Sequence, residues 1–63
     1  MRILIIEDET KVARALREGL EAEHYEVTIA ATGEDGFFLA SQRSYDLLLL
    51  DRFSIVLSRG RRG

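Results

Sequence analysis

Met1-Arg2-Ile3-Leu4-Ile5-Ile6-Glu7-Asp8-Glu9-Thr10 is the stretch whose reading decides the fold. Four apolar residues, Ile3 to Ile6, run straight into three carboxylates, Glu7, Asp8 and Glu9. Three of the four are β-branched, and the run is too short for a helix. It reads as a strand buried on both faces, as in a parallel sheet. Burial on two faces needs a covering layer on each side, which implies an α/β sandwich. In such sheets ligands bind beyond the carboxyl ends of the strands, where Glu7 and Asp8 stand. The pattern recurs at Asp46–Asp51: Leu47 to Leu50 form a second apolar run, and Asp51 closes it. If the two strands are parallel neighbours, Glu7, Asp8 and Asp51 meet at one rim.

Between these runs the chain carries two helical patterns. Thr10 is the expected N-cap of the first. Val12, Ala13, Leu16 and Leu20 recur at helical spacing over about Lys11–Glu23. Arg14, Arg17, Glu18 and Glu21 fall on the opposite face as i,i+4 pairs. His24 stands where a left-handed residue ends the helix. With no second histidine and no cysteine beside it, a turn role outweighs a ligand role. Tyr25–Ala30 alternates apolar and polar residues, the pattern of a half-exposed edge strand. Thr32-Gly33-Glu34-Asp35 has the form of a capping box. A second helix follows over about Glu34–Arg43, with Gly36, Phe37 and Ala40 expected inward and Phe38 and Leu39 off that face. Asp46 reads as a turn residue at the start of the third strand, at the opposite end from Asp51.

The order β-α-β-α-β, with right-handed crossovers and one helix on each face, requires parallel strand order 2-1-3. The switch point then lies between the first and third strands. Three carboxylates at that rim repel one another, and a divalent cation relieves the repulsion. An all-oxygen donor set favours Mg²⁺ or Mn²⁺ over Zn²⁺. An aspartate beside a phosphoryl group at such a site can act as a nucleophile and form an aspartyl phosphate. The plainer alternative is that acids after buried strands serve as solvated turn residues.

Composition bounds these readings. The 63 residues make one small domain at most, and they contain no cysteine and no proline. A chain of this size is marginally stable. Disulfides and thiolate metal sites are excluded. No apolar run approaches a membrane span, and the first residues form a strand rather than a signal peptide, so the chain reads as soluble and cytoplasmic. The net charge of −2 conceals a division. Residues 1–51 carry five basic side chains (Arg2, Lys11, Arg14, Arg17, Arg43) against all eleven acidic ones, a balance of −6. Residues 52–63 carry Arg52, Arg59, Arg61 and Arg62 without an acid, a balance of +4.

Four motifs in order now carry a family resemblance. They are Ile-Leu-Ile-Ile-Glu-Asp-Glu (3–9), Gly-Leu-Glu-Ala-Glu-His-Tyr-Glu-Val (19–27), Ala-Thr-Gly-Glu-Asp-Gly (31–36) and Tyr-Asp-Leu-Leu-Leu-Leu-Asp (45–51). Residues 1–51 resemble the receiver domain of a two-component response regulator, nearest to the group with a C-terminal winged-helix DNA-binding domain. The resemblance implies a flavodoxin-like fold with a five-stranded parallel sheet, order 2-1-3-4-5, of which this chain holds the first part. It implies that Glu7 and Asp8 hold Mg²⁺ and that Asp51 accepts phosphate from a sensor histidine kinase. A third metal donor in the family is a backbone carbonyl two residues past the aspartate, which here is that of Phe53. The implied role is phosphorelay signalling rather than enzymatic turnover. An independent phosphotransferase would need an acid–base partner and more chain to enclose a substrate.

The resemblance stops at Asp51. The family's continuation to a Pro-Gly turn, and its hydroxyl residue and lysine on strands four and five, have no counterparts in these 63 residues, and the expectation is that no DNA-binding domain is present. The expectation is a receiver divided into residues 1–51 and a divergent basic tail, 52–63, disordered or strand-prone, with phosphorylation impaired. The change of charge after Asp51 suggests a shifted reading frame or an interrupted gene. The competing expectation is a remnant that does not take phosphate, or an interaction fragment, self-associating or aggregating through an unpaired edge at Leu47–Leu50.

Overall fold

In the computed structural model, residues 1–50 are described in full, together with the backbone of Phe53–Val56. The elements run β1 (Arg2–Ile6), α1 (Thr10–Ala22), β2 (Glu26–Ala30), α2 (Gly33–Gln42), β3 (Leu47–Leu50) and β4 (Phe53–Val56). The sheet has the order β2-β1-β3-β4. β1 pairs in parallel with β2, Ile3 opposite Val27 and Ile6 opposite Ala30. On its other side β1 pairs in parallel with β3, Ile3 opposite Leu47 and Ile6 opposite Leu50. The parallel 2-1-3 core of a partial flavodoxin-like receiver fold is therefore present.

β1 is the central strand, and its side chains show why. Ile3, Leu4 and Ile5 are all but inaccessible, although successive residues point to opposite faces. Both faces of this strand are thus covered. Leu4, Ala30 and Tyr45 form one core cluster, with Ile6, Leu39 and Leu48 packed against it. α2 lies on that face, because Gly36 sits directly over Ile6 and Ala30. α1 packs on β2 from the opposite face, where Ala13 and Ile29 share a cleft. The helices thus cover β1 and β2 from two sides.

Several local expectations are corrected. Thr10 is not the N-cap of α1: Glu9 holds that position, with extended backbone and no side-chain cap. The Glu9 carbonyl already accepts the first helical bond, from the Ala13 N–H at 2.9 Å, so Thr10 is inside the helix. On α2, Phe37 and Phe38 are exposed, whereas Leu39 is half-buried against the core. Ala40 is exposed as well, so of the expected inner trio Gly36 alone is buried. The helix is set by the contact of Gly36 with the sheet, and three residues on, Leu39 falls on the same face.

The Leu47–Leu50 edge is also corrected. The side of β3 turned away from β1 pairs antiparallel with β4, Leu47 opposite Val56 and Leu50 opposite Phe53. The ladder groups expected to be open for self-association therefore have a partner within the chain. This fourth strand is antiparallel, unlike the parallel fourth strand that the resemblance implies. Residues 57–63, the basic end of the expected tail, lie outside the described residues. Among the described residues no helix is long and apolar enough to cross a membrane.

Candidate functional site

The parallel register Ile6↔Leu50 brings the ends of β1 and β3 level at one rim of the sheet. Glu7 is the first residue past β1. Its N–H donates to the Ala30 carbonyl at 3.0 Å, which extends the β1–β2 ladder by one bond and holds the residue at the rim. Its carboxylate Oε2 accepts the Glu9 N–H at 3.0 Å. A side chain that takes a backbone N–H two residues on turns the chain, here from the strand into α1. Glu7 is half-buried and Asp8 exposed.

Both acids line a cleft of about 450 Å³ whose other walls are Ile6, Ala31, Thr32, Gly33 and Leu50. The far wall is fixed by the start of α2. Thr32 caps that helix, its Oγ1 accepting the Asp35 N–H at 3.1 Å, so the threonine half of the expected capping box forms. Among the described residues the cleft's ionisable groups are the carboxylates of Glu7 and Asp8, a set that suits a hard cation bound through oxygen. Among the described residues no group of three or more potential ligands assembles. Asp51, the expected third acid and phosphoacceptor, lies outside the described residues. Phe53 is described in its backbone only, as the β4 residue opposite Leu50.

A second cleft, of about 190 Å³, lies on the α1 side of the same acid pair. Its walls are Glu7, Asp8, Thr10, Ala13, Arg14, Arg17, Ile29 and Ala31. Sequence reading placed Arg14 and Arg17 on the outer face with Glu18 and Glu21. Both are exposed as expected, and both also border this cleft; among the described residues neither forms an ion pair. The signal was there in the spacing: Thr10, Ala13, Arg14 and Arg17 stand at i, i+3, i+4 and i+7, one stripe of a helix.

The remaining candidates fall elsewhere. His24 adopts φ 72°, the left-handed turn expected of it. Its N–H donates to the Glu21 carbonyl and the Tyr25 N–H to the Leu20 carbonyl, the bond pair of a Schellman motif. Asp46 is at the opposite end of the sheet from the acid pair. Its Oδ2 accepts the Arg2 N–H at 2.8 Å, and its own N–H donates to the Arg2 carbonyl at 2.8 Å, clasping the starts of β1 and β3. Beside it the Arg2 guanidinium meets the Glu26 carboxylate at 2.9 Å. That hydrogen bond and charge hold the Glu26 carboxyl below its usual range and raise the Arg2 guanidinium.

Comparison with known proteins gives the geometry a family. The model of the response regulator receiver domain matches residues 3–53. The transcriptional regulatory protein PcoR of Escherichia coli is 48% identical over 50 residues, which are 79% of this chain and 22% of that protein. The uncharacterized transcriptional regulatory protein YkoG of Bacillus subtilis is 51% identical over 49 residues, 78% of this chain and 22% of that protein. The response regulator ArlR of Staphylococcus saprophyticus is 46% identical over 50 residues, 79% and 23% of the respective chains. The chain thus spans about a fifth of the length of the curated relatives it matches. No solved structure matches it significantly. With its 2-1-3 parallel core, its acid pair at the rim and a family match across most of its length, the chain belongs to the response regulator receiver domains.

Proposed function

We propose that the chain works as the phosphate-accepting module of a two-component phosphorelay in the cytoplasm, with Asp51 as the acceptor and a sensor histidine kinase as the donor. The observation that carries this reading is the register Ile6↔Leu50. In sequence Glu7-Asp8 follows one of these residues directly and Asp51 follows the other, which supports a shared rim for the three acids. A carboxylate oxygen of Asp51 attacks phosphorus, and the bond to the donor breaks. Glu7 and Asp8 would hold Mg²⁺, with Asp51 and the Phe53 carbonyl as further donors. The fit is supported by Glu7 and Asp8 being the ionisable groups of the cleft among the described residues, and by the Asp8 carboxylate, to which no described residue donates. Bound there, the ion supplies positive charge against the phosphoryl oxygens. The chain is the recipient of the phosphoryl group rather than a catalyst that turns over.

A specific observation favours acceptance without the family's switch. β4 runs antiparallel, so it starts at the acid rim and leaves it. A hydroxyl or ammonium group carried on a parallel fourth or fifth strand would arrive at that rim instead. Slow phosphorylation without a conformational response follows. The test is incubation with Mg²⁺ and phosphoramidate, followed by intact-mass measurement. The wild type gains one phosphate, Asp51→Asn gains none, and chelating the metal stops the reaction. A mass gain that survives in Asp51→Asn, or no gain in the wild type, refutes the assignment.

A further inference from the structure

We propose that this chain associates with further copies of itself head to tail, a phenylalanine of α2 from one copy entering the cleft beside Arg14 and Arg17 on α1 of the next. Two surface features, neither used in accepting phosphate, fit one another. The first is the outer face of α2. Gly36 is buried and Leu39 half-buried, so the helix turns that side to the sheet. At about 100° per residue, Phe37 and Phe38 then flank the outward pole, with Glu34 and Ser41 between them. Phe37 is 77% exposed and Phe38 60%. A surface helix ordinarily turns charged and polar side chains outward, and an aromatic pair in their place marks an interaction surface. The charge beside it has one sign: α2 carries Glu34 and Asp35 in its first turn and no basic residue.

The second feature is the smaller cleft, of about 190 Å³, lined by the apolar Ala13, Ile29 and Ala31 and by Arg14 and Arg17. A cavity of about 150 Å³ takes a benzene molecule, so this one has room for a phenyl ring. Among the described residues neither arginine is paired. A guanidinium can lie on a ring face, and its fork matches a carboxylate. Knob and hole thus agree in size and oppose each other in charge. They cannot meet within one molecule, because α1 and α2 lie on opposite faces of the sheet. A second copy supplies what each lacks. Glu7 and Asp8 at the edge of the cleft set the orientation: they repel Glu34 and Asp35, which therefore turn to the arginines. Each copy offers one patch of either kind, so the contact is heterologous and does not close at two. One helix face and one small cleft bury less than a standard interface, which puts the dissociation constant at about 0.1–1 mM. Dilute size exclusion then sees a monomer.

The experiment is sedimentation equilibrium of the full chain over about 0.05–2 mM. The weight-average mass of the wild type should rise with concentration past that of a dimer, and less so in high salt, since the charges are exposed. Phe37→Ser/Phe38→Ser should abolish the rise. Arg14→Glu/Arg17→Glu and Glu34→Lys/Asp35→Lys should each stay monomeric alone. Mixed in equal amounts they should associate again, because the acidic cleft of one now faces the basic helix of the other. Circular dichroism checks each fold. Lysines at the start of α2 oppose its dipole, and glutamates on α1 face Glu18 and Glu21. If either double variant loses helix, the single reversals Arg14→Glu and Glu34→Lys give the same readout. A wild type that stays monomeric throughout overturns the proposal, and so does a mixture that fails to associate. A wild-type rise in the arginine variant alone also overturns it, as the copies then meet through α2 against α2 or through a sheet edge.

Discussion

Tyr45 is the residue whose chemistry fits its surroundings least. Its ring is 2% exposed, in the cluster with Leu4 and Ala30, and among the described residues its hydroxyl has no hydrogen-bond partner. A buried hydroxyl without a partner loses its bonds to water and regains nothing, at a cost of about 1–3 kcal/mol. Tyr45→Phe keeps the ring and removes the orphan. It should raise stability by about 1 kcal/mol, and thermal unfolding should shift up by about 4–8 °C in a chain of this size. A lower melting temperature would mean that the hydroxyl is paired. His24 is a gentler conflict. Its left-handed backbone strains any residue with a Cβ, yet histidine is among those that tolerate it, and the Schellman bonds form around it. At the sheet's lower end the Arg2–Glu26 pair acts on acid stability. A carboxyl held below its usual range stabilises at neutral pH, and that contribution disappears as pH falls through its folded value. Both side chains are exposed, so solvent screens the effect.

Among the elements, α2 depends on one atom that is missing. A Cβ built on Gly36 would overlap the Ile6 side chain, with Cγ1 only 2.6 Å away. The collision involves the branch of Ile6 and not merely its tip, and Ile6 is packed against the core beneath. The helix must therefore move off the sheet. Gly36→Ala should destabilise by about 1–3 kcal/mol in spite of alanine's better helix propensity. Denaturant titration measures it, and a stability gain would show that α2 can shift at no cost. The loop at Ala31–Gly33 would move with the helix and disturb the cleft facing Glu7 and Asp8. The elements themselves were legible because their signals are local: an apolar run for β1, alternation for β2, a threonine cap for α2. The faces of the helices were less so. Phe37 reads as core from its type, but Gly36 fixes the helix's rotation through contact with Ile6, far away in sequence. Arg14 and Arg17 read as solvated and are exposed, but the cleft they border was not legible, since the wall opposite them belongs to β2.

At the scale of the molecule the helices and the sheet are out of balance. α1 packs on β2, and α2 on β1 and β2, so β3 is only half-buried and Leu50 is 38% exposed. Val12 and Leu16 on α1 are exposed as well. The acid pair and the 2-1-3 order were readable because strand grammar and handedness constrain them. The partner of β3 was not. Phe53-Ser54-Ile55-Val56 reads as strand-prone in isolation, and its return along β3 answers that strand's unmatched ladder groups, which lie outside its own sequence. That return makes β4 the guard of an apolar strand that would otherwise be open to a second copy of the chain. In an antiparallel ladder alternate residues turn their N–H toward the neighbour, so one of Ser54 and Ile55 bonds to β3 and the other faces away. Proline has no N–H to donate, and it is tolerated on an edge strand where that group points outward. Ser54→Pro and Ile55→Pro should therefore behave differently. The variant that breaks a bond to β3 should elute from size exclusion as dimers or larger species in a concentration-dependent way, while the other remains with the wild type. If both variants and the wild type elute alike as monomers, β4 does not guard the edge of β3.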